Sequence, residues 1–104
     1  MNIPVSELIV RYLERLGIDT LFGMPGAHVL PVYDCLHDST LKSVLVKHEQ
    51  GAAFMAGGYA RVSLRPSACI ATSGPGATNL ITGIANAYAE RLPVLAITGE
   101  TSTY

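Results

Sequence analysis

The sequence predicts an α/β domain, a parallel sheet with helices on both faces, and three observations carry that prediction. Four short apolar runs alternate with four segments of helical character along the chain. The connections between them are only a few residues long, the pattern of βαβ units. One run, "KSVLVK", is apolar without alternation, as expected of a strand covered on both faces. At 104 residues the chain is one domain, 1–104.

The elements follow in order. Ser6 can cap a first helix, with Glu7 favourable in its first turn. Leu8, Ile9, Tyr12, Leu13 and Leu16 then repeat at helical spacing, and Gly17 is a good stop. "DTLFGMPG" reads as a strand running into a Pro-Gly turn. Pro31 is tolerated only in a first helical turn, so the next helix starts near His28 or Leu30. "KSVLVK" is the second strand and residues 50–62 the next helix. "SACIAT" is the third strand, "SGPGATN" a glycine loop, residues 77–90 a helix and "PVLAITG" the fourth strand. In such sheets ligands bind beyond the carboxyl ends of the strands. There stand Met24-Pro25-Gly26, His48-Glu49, Thr72-Ser73-Gly74-Pro75-Gly76 and Gly99-Glu100, so most of the chain's chemistry gathers at one edge.

Composition excludes several classes. Net charge is −1, which gives no electrostatic case for nucleic acid or an anionic membrane. No apolar run approaches a membrane span, and the N-terminus lacks the pattern of a signal peptide, so a cytoplasmic protein is expected. Cys35 and Cys69 are far apart in apolar surroundings and read as buried thiols rather than a disulfide or metal pair. No two histidines have metal-ligand spacing, so no metal site is expected in this chain. Apolar residues make up 49% and charged residues only 14%, low for a lone domain whose average is roughly 25% charge. Part of the surface is therefore expected to be covered by more chain or by a partner.

Individual features leave alternatives open. "SGPGATN" follows a strand and opens a helix, with amides pointing outward. It is no P-loop, because no Gly-Lys-Ser/Thr closes it, and it only half-fits a dinucleotide fingerprint. Nucleotide binding through Gly74 to Asn79, a structural turn and a ligand loop of another kind all stay open. Glu49 reads either as a first-turn acid favoured by the helix dipole or as a carboxyl partly shielded at a strand end and suited to acid–base work. His48 reads as a strand-end residue making a local hydrogen bond, and His37 as solvated. His28, after the Pro-Gly turn, is the better acid–base candidate. Gly51, Ala52, Ala53, Ala56, Gly57, Gly58 and Ala60 form a helix with little side chain, which implies close approach of another backbone. Tyr88 reads as an anchor on the last helix.

"FGMPGAHVLPVYD", "KHEQGAAFMAGGYAR", "ATSGPGATNLITGIANAYAE" and "PVLAITG" occur in an order and spacing that closely resemble the N-terminal pyrimidine-binding (PYR) domain of thiamine-diphosphate enzymes of the acetolactate-synthase-like group. The likeness runs from about Pro4 to Gly99. It implies that the glutamate of the "HE" pair, Glu49, bonds the cofactor's aminopyrimidine at N1′ and promotes the tautomer that removes the thiazolium C2 proton. It implies that Pro25 and Gly26 line the site and that Thr72, Pro75 and Asn79 pack near the pyrimidine. "PGAH" is similar to relatives of benzaldehyde lyase, where a histidine at the position of His28 lines the active site. The implied activity is that of a carboligase, decarboxylase or lyase acting on a small-molecule keto acid or hydroxy ketone.

The same resemblance implies a PYR fold that runs on past Gly99, so that these residues are part of it. Mg²⁺ and the diphosphate would be held by a domain absent from this chain, and FAD is a further cofactor of some members. The partners implied are a homo-oligomer, dimer or tetramer, or a separate diphosphate-binding chain. The contrasting reading is a non-catalytic PYR-like assembly module, inactive without such a partner.

Overall fold

A computed structural model describes residues 2–103. The first helix, α1 (Val5–Arg15), buries Val10 and Leu13. Its cap is Pro4, two residues before the expected Ser6, because the Pro4 carbonyl accepts from Leu8 N–H as the first helical bond. Ser6 lies inside the first turn, and its hydroxyl oxygen accepts from the Cys35 thiol at 3.5 Å. At the other end Gly17, at φ +78°, lets its N–H reach Glu14 O while Ile18 N–H reaches Leu13 O. That paired closure is the Schellman motif, and it turns the chain into the sheet.

The sheet has four strands: β1 (Thr20–Gly23), β2 (Lys42–Leu45), β3 (Ser67–Ala71) and β4 (Val94–Thr98). Their order is β2-β1-β3-β4, and every pair is parallel. The remaining helices are α2 (Leu30–Leu36), α3 (Glu49–Ser63), α4 (Pro75–Thr78) and α5 (Ile81–Ala89). One 3₁₀ turn, Ala27–Val29, leads into α2, and Pro31 sits in its first turn as expected. The expected helix over residues 77–90 is instead two, broken between Thr78 and Ile81. The break lets α4 turn at the strand end before α5 runs back along α3.

Both faces of the two central strands are covered. Leu21, Ala68 and Ile70 join Val10, Leu13, Val29, Val32 and Leu36 in one core under α1 and α2. Phe22, Cys69 and Ala71 join Ala52, Ala53, Ala56 and Leu80 in the other, under α3. Period-two alternation thus splits β1 and β3 between two cores. The outer strands behave differently: β2 does not have both faces covered, and Leu45 is 71% exposed. Its apolar run reflects an edge position rather than a central one.

The small residues of α3 face α5. A Cβ placed on Gly83 would stand 2.3 Å from Ala53 Cβ, so the two backbones are as close as they can come. Gly58 meets nothing within 4 Å, so close approach explains only one side of α3. Tyr88 is 87% exposed and anchors nothing among the described residues, because α5 turns it away from α3. Cys69 is buried and Cys35 half-buried; they belong to opposite cores and both are free. Burial pushes the Cys69 thiol up to about 11.

At the end of the sheet away from the strand-end loops, Asp19 ties several elements together. Its carboxylate accepts from Tyr59 at 2.6 Å, Thr20 at 2.9 Å and Arg65 at 2.6 Å. Those bonds, that of Tyr59 first, bring it down to about 2.

Candidate active site

The strand order places a switch point between β1 and β3. The chain leaves β1 for α2 on one face and leaves β3 for α4 and α5 on the other, opening a crevice beyond the carboxyl ends. Register sets Gly23 level with Ile70 and Ala71 level with Thr98, so the loops after β1, β3 and β4 emerge together.

Glu49 enters this crevice as the first residue of α3. His48 caps the helix: its Nδ1 accepts from Gln50 N–H at 3.1 Å. His48 therefore makes the local bond expected of it, and its backbone fixes where Glu49 starts. Glu49 is half-buried, and its Oε2 accepts from Asn79 Nδ2 at 3.1 Å. Its Oε1 takes no hydrogen bond among the described residues and lies 3.5 Å from where a Cβ on Gly76 would be. One carboxylate oxygen is thus fixed, and the other is open beside a buried glycine. The helix-dipole reading of Glu49 holds as well, since the residue stands in the first turn.

The glycine loop packs against the turn after β1. A Cβ on Gly26 would stand 2.5 Å from Thr72 Cβ, and one on Gly76 2.9 Å from Thr72 Cγ2. Thr72 is therefore clasped between the Gly26 and Gly76 backbones, most tightly at Gly26. Pro75 is exposed at the first turn of α4, and Pro25 is exposed at the tip of its own turn. Asn79 closes α4. Gly26, His28, Glu49, Thr72 and Asn79 are brought together, whereas Pro25 and Pro75 form the rim without a bond to them.

His28 is exposed, and its Nδ1 lies 2.8 Å from Ser73 Oγ and 3.3 Å from Thr72 Oγ1. A Cβ on Gly99 would stand 2.6 Å from His28 Cβ, so the residue after β4 packs directly on the main chain of His28. Glu100 follows; hydrogen bonds from the Thr101 N–H and hydroxyl hold its carboxyl below the usual range, and the nearby His28 adds to the lowering. Sequence reasoning set Ser73, Gly76 and Gly99 at this edge but gave none of them a part in the site. The motif holding Ser73 and Gly76 was visible, but which side chain met His28 depended on the register of β1 against β3.

An apolar concavity of about 430 Å³ lies elsewhere, between α1 and β4, lined by Leu8, Ile9, Tyr12, Leu13, Leu95 and Ile97. It offers no titratable group to a ligand beyond the Tyr12 phenol, so the crevice with Glu49 is the better candidate site. Among the described residues no group of His, Cys, Asp and Glu could hold a metal ion. No helix among them is long and apolar enough to cross a membrane.

Fold and crevice together define a parallel α/β domain that offers a half-fixed carboxylate, an amide and a glycine-lined shelf to a ligand at a switch point. The chain matches the profile of the thiamine pyrophosphate enzyme N-terminal TPP binding domain over residues 3–104, and it belongs to that family. Its relatives include acetolactate synthase large subunit IlvB1 of Mycobacterium tuberculosis, 56% identical over 91% of this chain and 16% of that protein. Isozyme 2 large subunit of acetolactate synthase from Escherichia coli K12 is 52% identical over 93% of the chain and 18% of its own length. The large subunit from Corynebacterium glutamicum is 57% identical over 91% of the chain and 15% of its own length. The chain thus spans less than a fifth of the curated relatives it matches.

Proposed function

We propose that these residues form the aminopyrimidine-holding part of a thiamine-diphosphate-dependent carboligase of the acetolactate-synthase type, acting on 2-keto acids. The observation that carries the reading is the Glu49 carboxylate, bound by Asn79 on one oxygen and open on the other. The donor set suits an aminopyrimidine: a carboxyl for a ring nitrogen, beside a surface where Gly26 and Gly76 let the Thr72 side chain lie against the backbone. When bound, thiamine diphosphate supplies an electron sink for making or breaking the bond next to a carbonyl.

The chain's own residues do the rest. Glu49 holds a proton at Oε1 and shares it with the ring nitrogen, as a general acid–base group. Asn79 fixes Oε2, which removes the side-chain freedom that would misdirect that proton. Gly26, Thr72 and Gly76 form the shelf, with Pro25 and Pro75 at its rim. His28 holds or passes a proton at the substrate carbonyl oxygen. Mg²⁺ and the diphosphate belong, in this proposal, to residues outside these 104, on the same chain or on a partner in a dimer or tetramer. The working compartment is the cytoplasm, and FAD has no role in the steps assigned here.

The test is exchange of the C2 proton of bound thiamine diphosphate for deuterium in the longer enzyme that carries this domain. Glu49→Gln should slow it by about 10²–10⁴-fold, the range of general acid–base catalysis. An unchanged exchange rate with full cofactor occupancy would remove Glu49 from the reaction and favour a non-catalytic assembly module.

A further inference from the structure

Ser73 has no part in the chemistry assigned so far, yet it makes the shortest contact to His28. Its Oγ lies 2.8 Å from His28 Nδ1, against 3.3 Å for Thr72 Oγ1. The Thr72 oxygen also receives the His28 backbone N–H at 3.4 Å. Gly99 packs on the main chain of His28, since a Cβ there would be 2.6 Å from His28 Cβ and 2.9 Å from its carbonyl oxygen. The base of the side chain is therefore set by the residue after β4, and the ring is bonded by the loop after β3.

A neutral imidazole has one nitrogen that donates and one that accepts, and the bond made by one nitrogen decides the state of the other. Two hydroxyls converge on Nδ1 of His28. Ser73 makes no other hydrogen bond among the described residues, so only the ring nitrogen offers its proton a protein acceptor. We propose that Ser73 is a positioning residue: its hydroxyl donates to His28 Nδ1 and holds the neutral ring as the Nε2–H tautomer, leaving that N–H for a substrate carbonyl oxygen. When the ring takes up a proton, Nδ1–H donates to the same oxygen after the hydroxyl rotates, so the contact survives in both states. The charged side chain set beside the ring is Glu100. Glu49, across the loop, is bonded to Asn79. The catalytic consequence rests on the reading of His28 given above; the tautomer does not.

The experiment is side-chain ¹⁵N NMR of the full chain labelled at histidine, at a pH where the rings are neutral. His48 is an internal standard, because its Nδ1 accepts from Gln50 N–H and its ring must be Nε2–H. His28, assigned by loss of its signals in His28→Gln, should match His48. Ser73→Ala should move its shifts toward those of a tautomer mixture, and Ser73→Thr should restore them. In the longer enzyme Ser73→Ala should lower kcat about 10-fold with cofactor affinity kept, as for other hydrogen-bonded partners of functional imidazoles, and Ser73→Thr should recover it. An Nδ1–H ring in the unmodified chain overturns the proposal without any variant having to fold. Unchanged His28 shifts in Ser73→Ala overturn it too. A tautomer change in an enzyme indifferent to thiamine diphosphate upholds the positioning role and removes the proposed function instead.

Discussion

Adding one methyl group to either of two neighbouring helices should have opposite effects on stability. Gly83→Ala puts a Cβ 2.3 Å from Ala53 Cβ and 3.0 Å from both Ala53 C and Phe54 N. Ordinary contact between carbons is about 3.5–4.0 Å, so α3 and α5 must part by about 1 Å or more. Two of the three obstructing atoms are backbone and cannot swing aside. Overpacking of this kind costs about 1–3 kcal/mol, and a site blocked by backbone falls at the upper end. Alanine returns about 1 kcal/mol of helix propensity, leaving a net loss of about 1–2 kcal/mol. Gly58→Ala, in α3, meets nothing within 4 Å. It should keep the propensity gain alone, about 0.5–1 kcal/mol. Urea unfolding followed by far-UV circular dichroism measures both. A Gly83→Ala midpoint at or above that of the unmodified chain would refute the close packing of α3 on α5. A Gly58→Ala midpoint below it would show that the open side of α3 is covered.

Three further outcomes follow from the same geometry. Asp19 has its folded-state pKa lowered to about 2, so its contribution to stability is full above its unfolded value of about 4 and is lost as pH falls toward 2. The melting temperature of Asp19→Asn should therefore lie below that of the unmodified chain at pH 6, and the gap should close as the pH is lowered; a constant gap would contradict this. Leu64 closes α3 at φ +56° and is 88% exposed, so Leu64→Gly should stabilise by about 1 kcal/mol in the same urea assay by relieving the left-handed backbone. Gly76→Ala meets mainly the end of the Thr72 side chain, so folding should change by less than about 1 kcal/mol. Isothermal titration with thiamine diphosphate in the longer enzyme should nonetheless show weaker binding, because the same methyl lies beside Glu49 Oε1.

The sheet was legible because its signals are local. Each strand is a short apolar run stopped by glycine, proline or a polar residue, and Pro31 and Gly17 mark helix ends by their own backbone chemistry. The misreadings concern what lies across from a residue. "KSVLVK" reads as covered on both faces because its apolar content implies burial without showing what provides it; here β2 is an edge strand and Leu45 is largely exposed. Ser6 is a good capping residue, yet Pro4 holds the extended conformation two residues earlier and its carbonyl starts the helix. In the site, Glu49 and Asn79 stand 30 residues apart, and physical reading of the chain alone left the role of each open. Resemblance to a family joined them. Ser73 stood inside a quoted motif and was still given no part in the site, because nothing local distinguishes a loop hydroxyl that meets an imidazole from one that meets water.

The small-residue helix connects packing to chemistry. Glu49 opens α3, and Asn79 lies just ahead of α5, the helix that packs on it. The contact between their side chains therefore depends on how close α5 lies to α3. That distance is set four residues after Asn79, where Gly83 meets Ala53 with no side chain between the backbones. A helix built with leucines in place of Ala52, Ala53 and Ala56 would bury more apolar surface, but it would hold α5 farther away. At a bond length of 3.1 Å, an outward shift of about 1 Å takes the Asn79 amide beyond hydrogen-bond range of Glu49. Propensity and burial are given up along α3, and what they secure is the position of one amide against one carboxylate at the start of the helix pair. Gly83→Ala should accordingly do more than lower the urea midpoint. In the longer enzyme, below its unfolding range, it should also slow C2 proton exchange, because Glu49 loses the partner that fixes Oε2; normal exchange in a destabilised Gly83→Ala protein would separate the packing from the site.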